Sequence, residues 1–140
     1  MAVYPKSEHD EQVAVMDWIF MNTNKYPELD LVFSVPNGAR LASGRDKRLA
    51  AIRANYLKAE GMRPGAPDLV IPSPRGGYHG MFLEMKAMGG TLKENQEQFI
   101  VEAERYNYFC AVAYGADEAI EILQHYLERP YTLTIGKDVT

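Results

Sequence analysis

Apolar residues recur at helical spacing early in the chain, at Val15, Met16, Ile19 and Phe20, and predict an amphipathic helix from about residue 8 to 22. Ser7 is placed to cap it, with Asp10 three residues on to complete a capping box. On that helix Glu8 and Gln12 fall within the apolar stripe, whereas Glu11 lies at its flank and is the weaker candidate for an inward role. Residues 31–35 (Leu-Val-Phe-Ser-Val) read as a strand ended by the turn signal Pro36-Asn37-Gly38. A basic segment containing Gly and Ser leads into a second helix over about 46–59, with Leu49, Ile52, Tyr56 and Leu57 as its buried stripe and Gly61 as terminator.

Two apolar runs follow, Leu69-Val-Ile-Pro72 and Met81-Phe-Leu-Glu-Met-Lys86, both bounded by Pro or Gly and both short enough for buried strands. The turn-rich stretch between them allows an antiparallel return. Thr91 and Glu94 open a helix reaching about Tyr106, with Phe99, Ile100, Ala103 and Tyr106 as its apolar face. Residues 108–114 form an apolar run expected to be a central strand, residues 117–127 an amphipathic helix and residues 131–135 a last strand. The succession of helix, strand, helix, strand, strand, helix, strand is that of a mixed α/β layer fold.

With 140 residues, one domain spanning 1–140 is expected. The lone Cys110 excludes an internal disulfide and, among apolar neighbours, reads as a packing residue. No stretch is apolar for the ~18 residues of a membrane span, and no signal-peptide pattern opens the chain, so a cytoplasmic protein is expected. The net charge of −4 argues against a nucleic-acid partner until its distribution is considered. Residues 37–65 hold seven cations (Arg40, Arg45, Lys47, Arg48, Arg53, Lys58, Arg63) against two acids, a local +5 that leaves −9 for the remainder. One positive surface on an acidic body suits phosphate contacts. The nine tyrosines are scattered over interior-looking positions and by themselves support no base-stacking reading.

Charge also falls where a core strand would not carry it. Asp68 opens one strand, while Glu84 and Lys86 interrupt the next and project from the same face. Buried charge is costly unless paired, so two carboxylates and an ammonium converging there make a divalent-cation site and a nuclease centre. Gln96, in the first turns of the following helix, can face the same place. His79 has no second His or Cys at metal-ligand spacing and reads as structural or substrate-adjacent.

These residues resemble the PD-(D/E)xK nuclease superfamily and, within it, the virus-type replication-repair nuclease (VRR-NUC) domain. The matching words are Ser7-Glu8 with Gln12, Val35-Pro-Asn-Gly38, Glu60-Gly-Met-Arg-Pro-Gly-Ala-Pro-Asp-Leu69, Tyr78-His-Gly-Met-Phe-Leu-Glu-Met-Lys86, and Gly89-Gly90 followed by Gln96. They cover a core of about 7–118, and Ala66 departs from the bulkier residue common in the family. The resemblance implies a restriction-endonuclease-like mixed sheet flanked by helices, in αβαββαβ order. It also implies a standalone, phage-type member in a bacterial cell, homodimeric, acting on Holliday junctions or other branched DNA. Asp68, Glu84 and the Met85 carbonyl are then expected to hold Mg²⁺ or Mn²⁺, with Glu8 binding a second ion or its water. Lys86 is expected to orient or deprotonate the water, Gln96 to help position it, and Gln12 and Asn37 to act from behind. Arg40, Arg45, Lys47, Arg48 and Arg53 are the expected DNA contacts. The competing readings are a flap, fork or duplex-end nuclease and a non-catalytic DNA-binding module. A carboxylate-pair glycosidase is more distant, needing no lysine between its acids.

Overall fold

The structure, a computed structural model, describes residues 6–36 and 46–133. Helix α1 spans Glu8–Met21, and a 3₁₀ turn over Pro27–Leu31 leads into β1, Phe33–Ser34. Helix α2 is Lys47–Ala59, followed by β2 at Leu69–Ile71 and β3 at Met81–Lys86. Helix α3 is Glu94–Arg105, β4 is Phe109–Tyr114 and helix α4 is Ala116–Leu127. The sheet order is β1-β2-β3-β4, with the first three strands antiparallel and β4 parallel to β3. This is the mixed α/β sheet with flanking helices that the sequence predicts. No helix among the described residues is long and apolar enough to cross a membrane.

Strand alternation divides the molecule. Met81, Leu83 and Met85 enter a core shared with Val15 and Ile19 of α1 and Ala119 and Leu123 of α4. Phe82, Glu84 and Lys86 leave by the opposite face, toward α3, where Phe82 meets Phe99 and Glu84 meets Gln96. Burying each large core side chain contributes about 1.5–3 kcal/mol, enough to hold the charged half of β3 in place. The start of α1 is as the sequence predicts: Ser7 Oγ accepts from the Asp10 N–H at 3.1 Å and Asp10 Oδ2 accepts from the Ser7 N–H at 3.3 Å.

Four expectations are corrected. First, among the described residues β4 is an edge strand, not a central one. It is apolar because helices α3 and α4 both pack on it, which leaves Ala113 buried and its other residues half-buried. Second, on α2 Leu49, Ile52 and Tyr56 are 49%, 54% and 69% exposed, and only Leu57 is half-buried. At about 100° per residue those three lie opposite Ala54 and Lys58, the side of α2 that lines a cleft against the rest of the chain. Third, on α1 Glu11 is half-buried like Gln12, while Glu8 and Phe20 are exposed. Glu11 Oε2 accepts the Ala116 N–H at 2.5 Å, where Gly115, with φ 94°, offers no side chain to cap α4. Fourth, α3 is capped at Lys93, not Thr91, since Gln96 Oε1 accepts the Lys93 N–H at 2.9 Å.

At the chain's other end, Tyr131 forms a single antiparallel bridge with Arg75, and residues 134–135 of the expected last strand lie outside the described residues. Arg75 anchors a buried polar cluster. Its guanidinium pairs with Glu28, donates to Arg129 O at 3.1 Å and lies 3.8 Å from the centre of the Tyr131 ring. Glu28 also accepts from Ser73 Oγ at 2.7 Å and from the Tyr131 hydroxyl at 3.0 Å.

Candidate active site

Asp68 stands immediately before β2, where the Val35 N–H donates to its backbone carbonyl at 2.8 Å. Its side chain crosses to β3, and Oδ2 accepts the Met85 N–H at 2.7 Å. In a strand the N–H and C=O of one residue leave by the same edge. The Lys86 carbonyl is taken on the β4 side by the Gly115 N–H, so the Met85 carbonyl faces the Asp68 side. Glu84, 4% exposed, accepts from Gln96 Nε2 at 3.0 Å and pairs with Lys86 Nζ at 3.6 Å. Lys86 is itself 7% exposed. Thus β2, β3 and α3 bring Asp68, Glu84, Lys86 and Gln96 together.

A cleft of about 250 Å³ opens over the two carboxylates. Its far wall is Ala54 and Lys58 of α2, and Arg63, Lys93 and Gln96 complete its rim. The loop between α2 and β2 reaches α3 closely at Gly65, where φ is 89° and a Cβ would fall 2.5 Å from the Asn95 carbonyl oxygen. Only glycine fits there, and that approach sets Asp68 and Gln96 on one cleft.

The electrostatics mark the pair as unfinished. Burial and then the neighbouring Asp68 push the Glu84 carboxyl up to about 8, against the pull of Lys86. Burial also raises Asp68, as does the charge of Glu8, with the Met85 N–H opposing. Two hard carboxylate oxygens that cannot both ionise cheaply, with a backbone carbonyl beside them, are the donor chemistry a small divalent cation takes. Glu8 stays outside this pair, exposed on α1 yet near enough for its charge to act on both acids. Among the described residues no three His, Cys, Asp or Glu side chains group tightly enough to ligate one ion.

Of the other expected residues, Gln12 is half-buried on α1, and Lys47, Arg48 and Arg53 are exposed on α2. Asn37, Arg40 and Arg45 lie outside the described residues. The cations that line the cleft are Lys58, Arg63 and Lys93, none of them among the expected DNA contacts. Lys58 shares a helix face with Ala54, a spacing visible in the sequence, but Lys93 is brought in only by the turn that caps α3. Burial and the charge of Glu104 push the Cys110 thiol up to about 11, which suits a packing residue. His79 is exposed against the Tyr108 ring, 5.6 Å between centroids.

The fold has a counterpart among solved structures. No curated protein matches the chain significantly. A solved structure described as a VRR_NUC domain protein superposes with a TM-score of 0.72 at 28% identity, over 89% of this chain and 91% of that one. The family model for the VRR-NUC domain matches residues 6–117, a span that holds Asp68, Glu84, Lys86, Gln96 and the whole rim of the cleft, and on that match the chain belongs to the VRR-NUC family of nuclease domains.

Proposed function

We propose that the chain is a divalent-metal-dependent endonuclease that hydrolyses phosphodiester bonds in branched DNA, with four-way junctions foremost. The observation that carries this is the convergence of Asp68, Glu84, Lys86 and Gln96 beneath a cleft rimmed by three cations. Asp68, Glu84 and the Met85 carbonyl would hold Mg²⁺ or Mn²⁺. Bound there, the ion would polarise a phosphate oxygen and lower the pKa of a water.

The chain's own groups do the rest. Gln96 has its carbonyl oxygen held by the Lys93 N–H, so its amide N–H is directed at Glu84 and fixes that carboxylate. Lys86, held against Glu84, orients or deprotonates the attacking water and offsets negative charge growing at phosphorus. Lys58, Arg63 and Lys93 attract the phosphates on either side. Glu8, exposed on α1 with its charge acting on both acids, would take a second ion or hold a water.

A four-way junction has two-fold symmetry, so a two-fold dimer can address two strands at once. The exposed row Leu49, Ile52 and Tyr56 on α2, turned away from the cleft, is the surface such a homodimer would bury. Sedimentation of the wild type beside Ile52→Glu tests this, and an unchanged mass would remove the dimer from the proposal. The substrate is tested by cleavage of four-way junctions, flaps and linear duplex at one salt concentration with Mg²⁺ or Mn²⁺. Junctions should be cut at least tenfold faster, and equal rates would remove the preference for branched DNA.

A further inference from the structure

Beyond the cleft, the same face of β3 carries a second feature. Phe82 lies two residues before Glu84 and on the same side of the strand, about 7 Å away along it. It forms one wall of a groove of about 510 Å³ between α3 and the sheet, with Phe99, Tyr106, Tyr108 and His79 as the other walls. The rings meet edge-on or tilted: Phe82 to Phe99 at 5.2 Å and 87°, Phe82 to Tyr108 at 5.2 Å and 50°, His79 to Tyr108 at 5.6 Å and 57°. None of these pairs is stacked face to face, which leaves room for a flat aromatic ligand to lie against them. Tyr106 is 63% exposed at the groove's edge.

Arg63 joins the two features. It lines the cleft above the carboxylates and also lines the groove, where its guanidinium lies 5.5 Å from the centre of the Phe99 ring. A strand whose phosphate sits over Asp68 and Glu84 would therefore pass Arg63 and bring its neighbouring nucleotide to the rings. The walls suit a nucleobase: aromatic rings to stack on, with His79 and Glu102 among the lining residues to bond its polar groups. A base in a duplex has its faces covered by its neighbours, so only an unpaired or extruded one can enter.

We infer that this groove is a subsite for one nucleobase, unpaired or extruded from the duplex, next to the scissile phosphate, making nucleotides that come out of pairing at a branch point part of what the enzyme selects. The inference rests on the nuclease reading for its position relative to the phosphate, but its binding test does not need cleavage. A four-way junction carrying one inserted, unpaired 2-aminopurine, placed in turn at each position flanking the branch, is bound to Asp68→Asn protein with Mg²⁺. Fluorescence at one position should fall on binding, and the drop should be lost when Tyr108→Leu or Tyr106→Ala is added. In the otherwise wild-type enzyme the same two substitutions should raise KM for that DNA about tenfold, the size of one lost stack, with kcat within twofold and cleavage of fully paired duplex unchanged. Tyr106→Ala changes an exposed ring, so a folding defect in Tyr108→Leu leaves it as an independent reading.

No fluorescence change at any position would overturn the subsite. So would an unaltered KM in Tyr106→Ala, or conversion of a dimer to a monomer by that variant with KM unaltered, which would make the groove a contact between copies. A fluorescence drop in a protein that cuts no DNA would uphold the subsite and defeat the hydrolase reading.

Discussion

Two carboxylates in this molecule, Glu84 buried and Glu28 half-buried, are held in opposite ways. Glu28 meets the Ser73 hydroxyl, the Arg75 guanidinium and the Tyr131 hydroxyl, and Glu84 meets one amide, an ammonium at 3.6 Å and another acid. Burial opposes ionisation in both. For Glu28 the hydrogen bonds from Ser73, Arg75 and Tyr131 outweigh it, and the carboxyl stays below its ordinary range. For Glu84 burial and Asp68 win, and the carboxyl is driven up to about 8. A charge placed for architecture is satisfied by the chain itself, whereas a charge placed for chemistry is left needing something the chain does not supply.

The largest separation between the two regions should appear in turnover. Lys86→Ala or Asp68→Asn should lower kcat on branched DNA by about 10³-fold, in the range for loss of a proton-transfer or metal-holding group, while Glu28→Ala leaves kcat per folded molecule within about twofold. Single-turnover cleavage measures both, and retained cutting by Lys86→Ala would show that the hydrolytic centre lies elsewhere. Stability should show the reverse. Removing Glu28 strands the Arg75 guanidinium inside the protein and should cost about 3 kcal/mol in urea unfolding, whereas Glu84→Gln should cost far less.

A smaller effect links the acids to metal and pH. Mg²⁺ at about a hundred times its dissociation constant should stabilise the wild type by about 2.7 kcal/mol, read as a thermal shift, and should leave Asp68→Asn nearly unmoved. In the metal-free protein the two carboxyls should respond to pH with opposite signs. The folded-state pKa of Glu84 lies above its unfolded value, so its contribution is full below about 4.5 and is lost as pH rises through about 8. That of Glu28 lies below, so its contribution is present above about 4.5 and is lost as pH falls through the folded value. Unfolding curves between pH 4 and 9 should show the alkaline loss disappear in Glu84→Gln, and its persistence there would assign it to another group.

The same contrast explains what could be read from the sequence. Asp68, Glu84 and Lys86 stood out because charge interrupts apolar strands, and strand alternation put Glu84 and Lys86 on one face without knowledge of the fold. Ser7 and Asp10 were legible because a capping box is local. The cluster around Glu28 was not, since Ser73, Arg75 and Tyr131 lie 45 or more residues away and look like ordinary loop residues until the chain closes. The inward role of Glu11 is hidden for a similar reason. Its angle on α1 marks it as a flank position, and only the packing of α4 gives that flank an N-terminus to cap. The apolar stripe of α2 was read correctly as a stripe but wrongly as buried, because periodicity reports that a face is apolar, not what covers it.

The smallest effect concerns the cations, where position matters more than local charge density. Lys47, Arg48, Arg53, Lys58 and Arg63 all belong to the basic stretch of residues 37–65, yet of these five only Lys58 and Arg63 line the cleft, and Lys93 joins them from outside that stretch. A lysine that meets a phosphate releases a counterion on binding, so its loss should weaken DNA binding and flatten the salt dependence by about one unit of slope. Lys58→Ala and Lys93→Ala should each raise Kd severalfold at moderate salt and reduce the slope of log Kd against log salt by about one. Arg48→Ala, changing a side chain that does not line the cleft, should do less of both. Titrations of branched DNA at several salt concentrations decide the matter: equal slopes for Lys58→Ala and Arg48→Ala would mean that DNA follows the exposed surface of α2 instead of the cleft over Asp68 and Glu84.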